Sequence, residues 1–130
     1  MEEDGQGACL PLYSERLLEH FRNPRRAGAV DAPAADVRVE NMACGDRLRL
    51  TVQVEDGVVT DAAFQAQGCT ASIACGSALA EWLVGRTLAE LRGTPIAAAV
   101  EGEVDGLPAA SKHAAALCAD GVREMLARIP

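Results

Sequence analysis

Between residues 47 and 54 the chain reads RLRLTVQV, with Leu48, Leu50, Val52 and Val54 alternating with Arg47, Arg49, Thr51 and Gln53. A period of two puts one face of a strand in a core and the other in water. The Asp56-Gly57 pair that follows is the signal of a tight hairpin, so VVTDAAFQA (58–66) is expected to return antiparallel. DVRVE (36–40) alternates in the same way and predicts a third strand on the outer edge.

After residue 67 the period becomes helical. SIACGSALAEWLVG places Ile73, Leu79, Trp82 and Leu83 on a broadly common face, and Gly85 is a natural stop. TLAE (87–90) fits a capping box, and Thr94-Pro95 fits the start of a further helix. EGEVDG (101–106) reads as loop, and a last helix from about Ser111 turns Ala115, Val122, Met125 and Leu126 inward. Upstream, YSERLLEHFRNP predicts a short helix with Ser14 as N-cap, an apolar stripe of Leu17, Leu18 and Phe21, and Pro24 as its end. His20 is expected to be a surface or half-buried residue of that helix, and 24–35 is expected to be loop. Residues 1–11 read as a flexible N-terminal tail and 12–130 as a single domain. The sum is an α+β fold, a small antiparallel sheet of about three strands packed against several helices.

Charge and cysteine content narrow the function. The 130 residues carry 12 basic and 19 acidic side chains, a net charge of −7, which argues against nucleic-acid or anionic-membrane partners. The beginning, MEEDGQG, has neither a basic n-region nor an apolar h-region, and runs such as IAAAV (96–100) are too short to span a bilayer. A cytoplasmic location is therefore expected. Five cysteines in a reducing compartment are more often thiolates than disulfides. Phosphate-binding glycine loops are absent, and the two histidines have no evident nucleophile partner.

Three segments can carry thiolate chemistry. In ACGD, Cys44 and Asp46 would point to one side if the backbone were extended. Cys69 follows Gly68 at a strand-to-helix junction, and a helix N-terminus favours a nearby thiolate. In SKHAAALCAD, His113 and Cys118 lie near the start of the last helix. Two thiolates, a carboxylate and an imidazole make a four-coordinate set for zinc or iron, and buried structural cysteines are the alternative. Cys9 falls in the tail, and Cys75, about 120° around the helix from Cys69, reads as packing.

The segments HFRNPRRAG, ACGDRLRL, GCTASIACGSALAEW, GRTLAEL and LPAASKHAAALCAD resemble the U-type iron–sulfur cluster assembly scaffolds, the IscU, SufU and NifU N-terminal family, collinearly from about residue 13 to 128. The resemblance implies a SufE/NifU-like fold with a surface site of three Cys and one Asp. Such a scaffold takes iron, accepts persulfide sulfur from a cysteine desulfurase, builds a transient [2Fe–2S] cluster and passes it to acceptor proteins; Zn²⁺ binds at the same site. Cys44, Asp46 and Cys69 match the family's first Cys, its Asp and its second Cys, and His113 matches the histidine of the IscU branch. The family's third Cys follows that His, where this chain has Ala114; Cys118, about one helical turn on, and His113 are the two candidates for the vacant role. Cys69 and Cys118 are the candidate persulfide acceptors. The alternative function is a zinc-containing sulfurtransferase that activates a desulfurase. The Leu-Pro-Pro-Val-Lys loop recognised by an Hsp70-type chaperone is replaced by LPAASK, which keeps Leu107 and Pro108 but lacks the second proline, so that partner is not expected to dock firmly.

Overall fold

A computed structural model describes residues 13–129; the expected tail and Cys9 lie outside the described residues. The elements run α1 (Glu15–Arg22), β1 (Ala35–Glu40), β2 (Arg47–Glu55), β3 (Val58–Gln67), α2 (Thr70–Leu83), α3 (Leu88–Arg92), α4 (Ile96–Glu103) and α5 (Lys112–Arg128), with a 3₁₀ turn at Ala109–Ser111. The three strands form one antiparallel sheet in the order β1-β2-β3. Asp56 and Gly57 both have positive φ (53° and 76°), the backbone of the two-residue turn that matches strand twist. The α+β expectation holds.

Leu48, Leu50 and Val52 of β2, with Val37 of β1 and Phe64 of β3, are all at most 3% exposed and form the inner face. Helices α2 and α5 lie on that face. Helix α2 is buried on nearly every side, because Ala71, Ala74, Gly76, Ala78 and Ala80 leave its backbone free to approach its neighbours. A Cβ added at Gly76 would lie 2.6 Å from the Phe64 ring, so that approach tolerates no side chain. The one-faced helix expected from Ile73, Leu79, Trp82 and Leu83 is thus a central helix, with Ile73 and Trp82 only half-buried.

Capping chemistry agrees with expectation. Ser14 Oγ accepts from the Leu17 N–H (3.0 Å), and Thr87 and Glu90 complete a reciprocal capping box. Three local expectations change. Residues 101–103 are helical, closing α4. Thr51 is buried despite its place on the solvent face, because the 24–34 segment crosses there and the Val30 N–H donates to Thr51 Oγ1 (2.9 Å). In α1 it is His20, 4% exposed, that turns inward, whereas Phe21 is 38% exposed.

The reason for His20 is polar. The Arg25 N–H donates to Ser77 Oγ (2.8 Å), and the same hydroxyl hydrogen-bonds His20 Nδ1 (2.8 Å), which ties α1 to α2. Burial, with the Arg25 charge next, lowers the pKa of His20 from its ordinary 6.5 against weaker opposition from Glu81. A histidine whose folded pKa is depressed contributes its stability above the unfolded value, and that stability is lost as pH falls below 6.5. Thermal unfolding should therefore show Tm falling through the acid side of pH 6.5, with a shallower slope in His20→Gln, which cannot charge; equal slopes would refute the assignment.

Candidate metal centre

Three chain segments meet at one end of the sheet. The first is the β1–β2 connection. The strand-like spacing expected for Cys44 and Asp46 is not what joins them: residues 41–46 form a turn, with Asn41 Oδ1 accepting from the Ala43 N–H (2.9 Å), Gly45 at φ +77° and the Asn41 N–H donating to the Asp46 carbonyl (2.8 Å). The turn exposes Cys44 while folding Asp46 inward to 5% exposure.

The second segment is the β3–α2 junction. Gly68 sits at φ +148°, and an added Cβ there would lie 2.5 Å from Asp46 Cγ, so glycine is required both by backbone and by space. Cys69 is the N-cap of α2, half-buried, with its Sγ 3.4 Å from Asp46 Oδ2. The third is the first turn of α5, which brings His113 Nε2 to 3.2 Å from the same oxygen and 3.6 Å from Cys69 Sγ. Two helix N-termini therefore converge on one buried carboxylate, a placement that favours negative charge. Burial is the largest influence on Asp46 and pushes its pKa up. The Ser72 and Cys69 hydrogen bonds, with His113, outweigh it and hold the pKa below the usual carboxylate value.

Cys44, Asp46 and His113 offer ligand atoms that all lie within 4.8 Å of one another. Cys69 meets the same Asp46 and His113. Around a single tetrahedral ion, bonds of about 2.3 Å to sulfur and 2.0–2.1 Å to nitrogen or oxygen place a nitrogen and an oxygen about 3.3–3.4 Å apart, a sulfur and either of them about 3.5–3.6 Å apart, and two sulfurs about 3.8 Å apart. The 3.2, 3.4 and 3.6 Å separations of Asp46, His113 and Cys69 fit that shape. The donor set of two sulfurs, an imidazole and a carboxylate suits zinc or iron.

Cys118 does not join them. It is 1% exposed, and burial, with Cys75 nearby, pushes its thiol well above the ordinary range. Its place one turn beyond the missing cysteine turns it into the core, so the structure does not bring this candidate ligand and sulfur acceptor to the group. Ala114 is itself fully buried, and His113 is the α5 residue that reaches the group. Cys75 is buried in α2, its thiol pushed up to about 12 by burial. Ser72 was not foreseen. Its hydroxyl donates to Asp46 Oδ2 (2.5 Å), and the only signal for it in sequence was its position three residues after Cys69.

Residues 12–129 match the family model described as NifU-like N terminal domain. The iron–sulfur cluster assembly scaffold protein IscU of Azotobacter vinelandii is 38% identical over 118 residues, 85% of this chain and 88% of the relative. The scaffold protein of the same name from Escherichia coli strain K12 is 34% identical over 122 residues, 88% of this chain and 91% of the relative. A NifU-like N-terminal structure from Brucella abortus aligns with TM-score 0.61 at 30% identity, covering 90% of this chain and 81% of that one. The SUF-system scaffold structure from Fervidobacterium islandicum, described as putative, aligns with TM-score 0.74 over 91% and 98% of the two chains; at 17% identity it carries the fold alone.

Gly68→Ala should drive Asp46 from its place and raise the zinc Kd by about tenfold or more in a chelator competition. Cys118→Ala should leave that Kd unchanged while lowering stability by about 1 kcal/mol. A Cys118→Ala variant that lost zinc would contradict the placement of that side chain.

Proposed function

The chain belongs to the NifU-like N-terminal domain family, and from that premise we propose that it is an iron–sulfur cluster assembly scaffold whose working site is Cys44, Asp46, Cys69 and His113. What supports the reading is that Cys44 meets Asp46 and His113, and Cys69 meets the same two side chains, at a partly open edge, with Cys44 exposed and the His113 side chain 29% exposed. A scaffold must release what it builds. Soft thiolates from Cys44 and Cys69 give affinity for iron, while the hard carboxylate of Asp46 is a weaker partner for a thiophilic cargo and keeps it exchangeable.

Sulfur would arrive from a cysteine desulfurase as a persulfide. The Cys69 thiolate attacks the terminal sulfur, a new S–S bond forms at Cys69, and the donor's thiolate leaves, with no net change in electron count. Conversion of that sulfur to sulfide requires two electrons from a separate reductant protein. Cys69 suits the accepting role better than Cys118 because it is half-buried at a helix N-terminus rather than enclosed. Cargo then passes to acceptor apo-proteins. Among the described residues no helix is long and apolar enough to cross a membrane, and we place the protein in the cytoplasm with its proposed partners.

A second reading is favoured by the spacing of Asp46, Cys69 and His113, which suits one ion more closely than two irons. In that reading Zn²⁺ rests at the site and the protein is a sulfurtransferase that accepts persulfide and activates a desulfurase. Anaerobic reconstitution with iron, a desulfurase, free cysteine and a reductant separates the two. The scaffold reading predicts visible absorbance and stoichiometric iron and sulfide, with at least about a tenfold loss of bound cluster in Cys44→Ser and Cys69→Ser. A colourless product holding zinc, with accelerated alanine release by the desulfurase, would favour the sulfurtransferase. Full cluster retention in either serine variant would defeat the site assignment.

A further inference from the structure

Of the polar groups at the metal centre, Ser72 has no ligand role in the family pattern, yet it makes the shortest contact to Asp46. It is 3% exposed and occupies the third position of α2, so the helix backbone fixes where its hydroxyl points. We propose that Ser72 is a positioning residue for metal capture, holding Asp46 as a one-oxygen ligand aimed between Cys69 and His113. The assignment rests on the site reading above.

The carboxylate is held from two sides. Gly68 closes one side, since even a methyl group there would lie 2.5 Å from Asp46 Cγ. On the other, Oδ2 accepts the Ser72 hydroxyl at 2.5 Å and lies 3.4 Å from Cys69 Sγ and 3.2 Å from His113 Nε2. Each carboxylate oxygen offers about two lone-pair directions. With Ser72 on one, the direction left on Oδ2 is toward the space shared with the thiol and the imidazole. Ser72 Oγ also lies 3.5 Å from Cys69 Sγ, so the same hydroxyl braces two members of the donor set. Without it, a buried carboxylate has lost its closest donor and is free to rotate away from the ion.

The test is a competition titration of the purified protein with Zn²⁺ and a chromophoric chelator, on wild type, Ser72→Ala, Asp46→Ala and the double variant, with thermal unfolding run on each. Alanine is a stronger helix former than serine, so Ser72→Ala keeps α2 intact. Loss of the partner that orients a ligating carboxylate is expected to raise the zinc Kd by at least about tenfold. In the Asp46→Ala background the same change should cost nothing further, because Ser72 acts through Asp46. The d–d bands of the Co²⁺-loaded protein should shift and weaken in Ser72→Ala as the tetrahedral set is lost, a signature that a purely structural role would not move. A smaller rise in Kd, an equal further loss without Asp46, or unchanged cobalt bands overturns the proposal. Wild-type protein that bound no zinc would bring down the site reading as well, whereas normal wild-type binding beside an unaffected Ser72→Ala removes the role of Ser72 alone.

Discussion

The buried carboxylate of Asp46 is the constraint around which this end of the molecule is arranged. A negative charge with 5% exposure is costly to bury without partners. Here the compensation comes from two segments far from it in sequence: Cys69 and Ser72 at the start of α2, and His113 at the start of α5. Remove any one and the charge loses a contact. The group that needs partners thus also gathers a thiol and an imidazole around itself.

Holding those segments in register falls to the apolar body of the fold. Helix α2 can start at Cys69 and run through the core because its interior positions are alanine, glycine and serine, letting Phe64 of β3 press against Gly76. Polar ties finish the job where apolar contacts do not reach. His20 and Ser77 join α1 to α2, and the Arg49 guanidinium donates to both Asp36 oxygens (2.8 and 3.0 Å) to tie β1 to β2. The donor set is partly open because it lies at the rim where two helix starts meet a sheet end, while Cys75 and Cys118 sit in the packed interior.

The fold was largely legible in the sequence, and the reasons are local. Alternation in RLRLTVQV, the Asp56-Gly57 turn and the Thr87–Glu90 box each specify their geometry within a few residues. What escaped depends on partners distant in the chain. The inward turn of His20 needs Ser77, the burial of Thr51 needs the crossing segment, and the full burial of α2 is invisible to a pattern that looks for one apolar face. The site divided in the same way. Cys44, Asp46, Cys69 and His113 were named from sequence, but the choice between His113 and Cys118 turns on helix phase, which spacing alone left open. Ser72 carried no signal of its own because a hydroxyl three residues into a helix is ordinary until a carboxylate is seen beside it.

The central proposal is that Cys44, Asp46, Cys69 and His113 act together as one metal-binding set. X-ray absorption at the zinc edge of the anaerobically loaded protein tests it directly. The account predicts two sulfur neighbours at about 2.3 Å and two nitrogen or oxygen neighbours at about 2.0–2.1 Å. A shell of three or four sulfurs, which would require a buried thiol such as Cys118 to leave the core, or a shell with none, would contradict it.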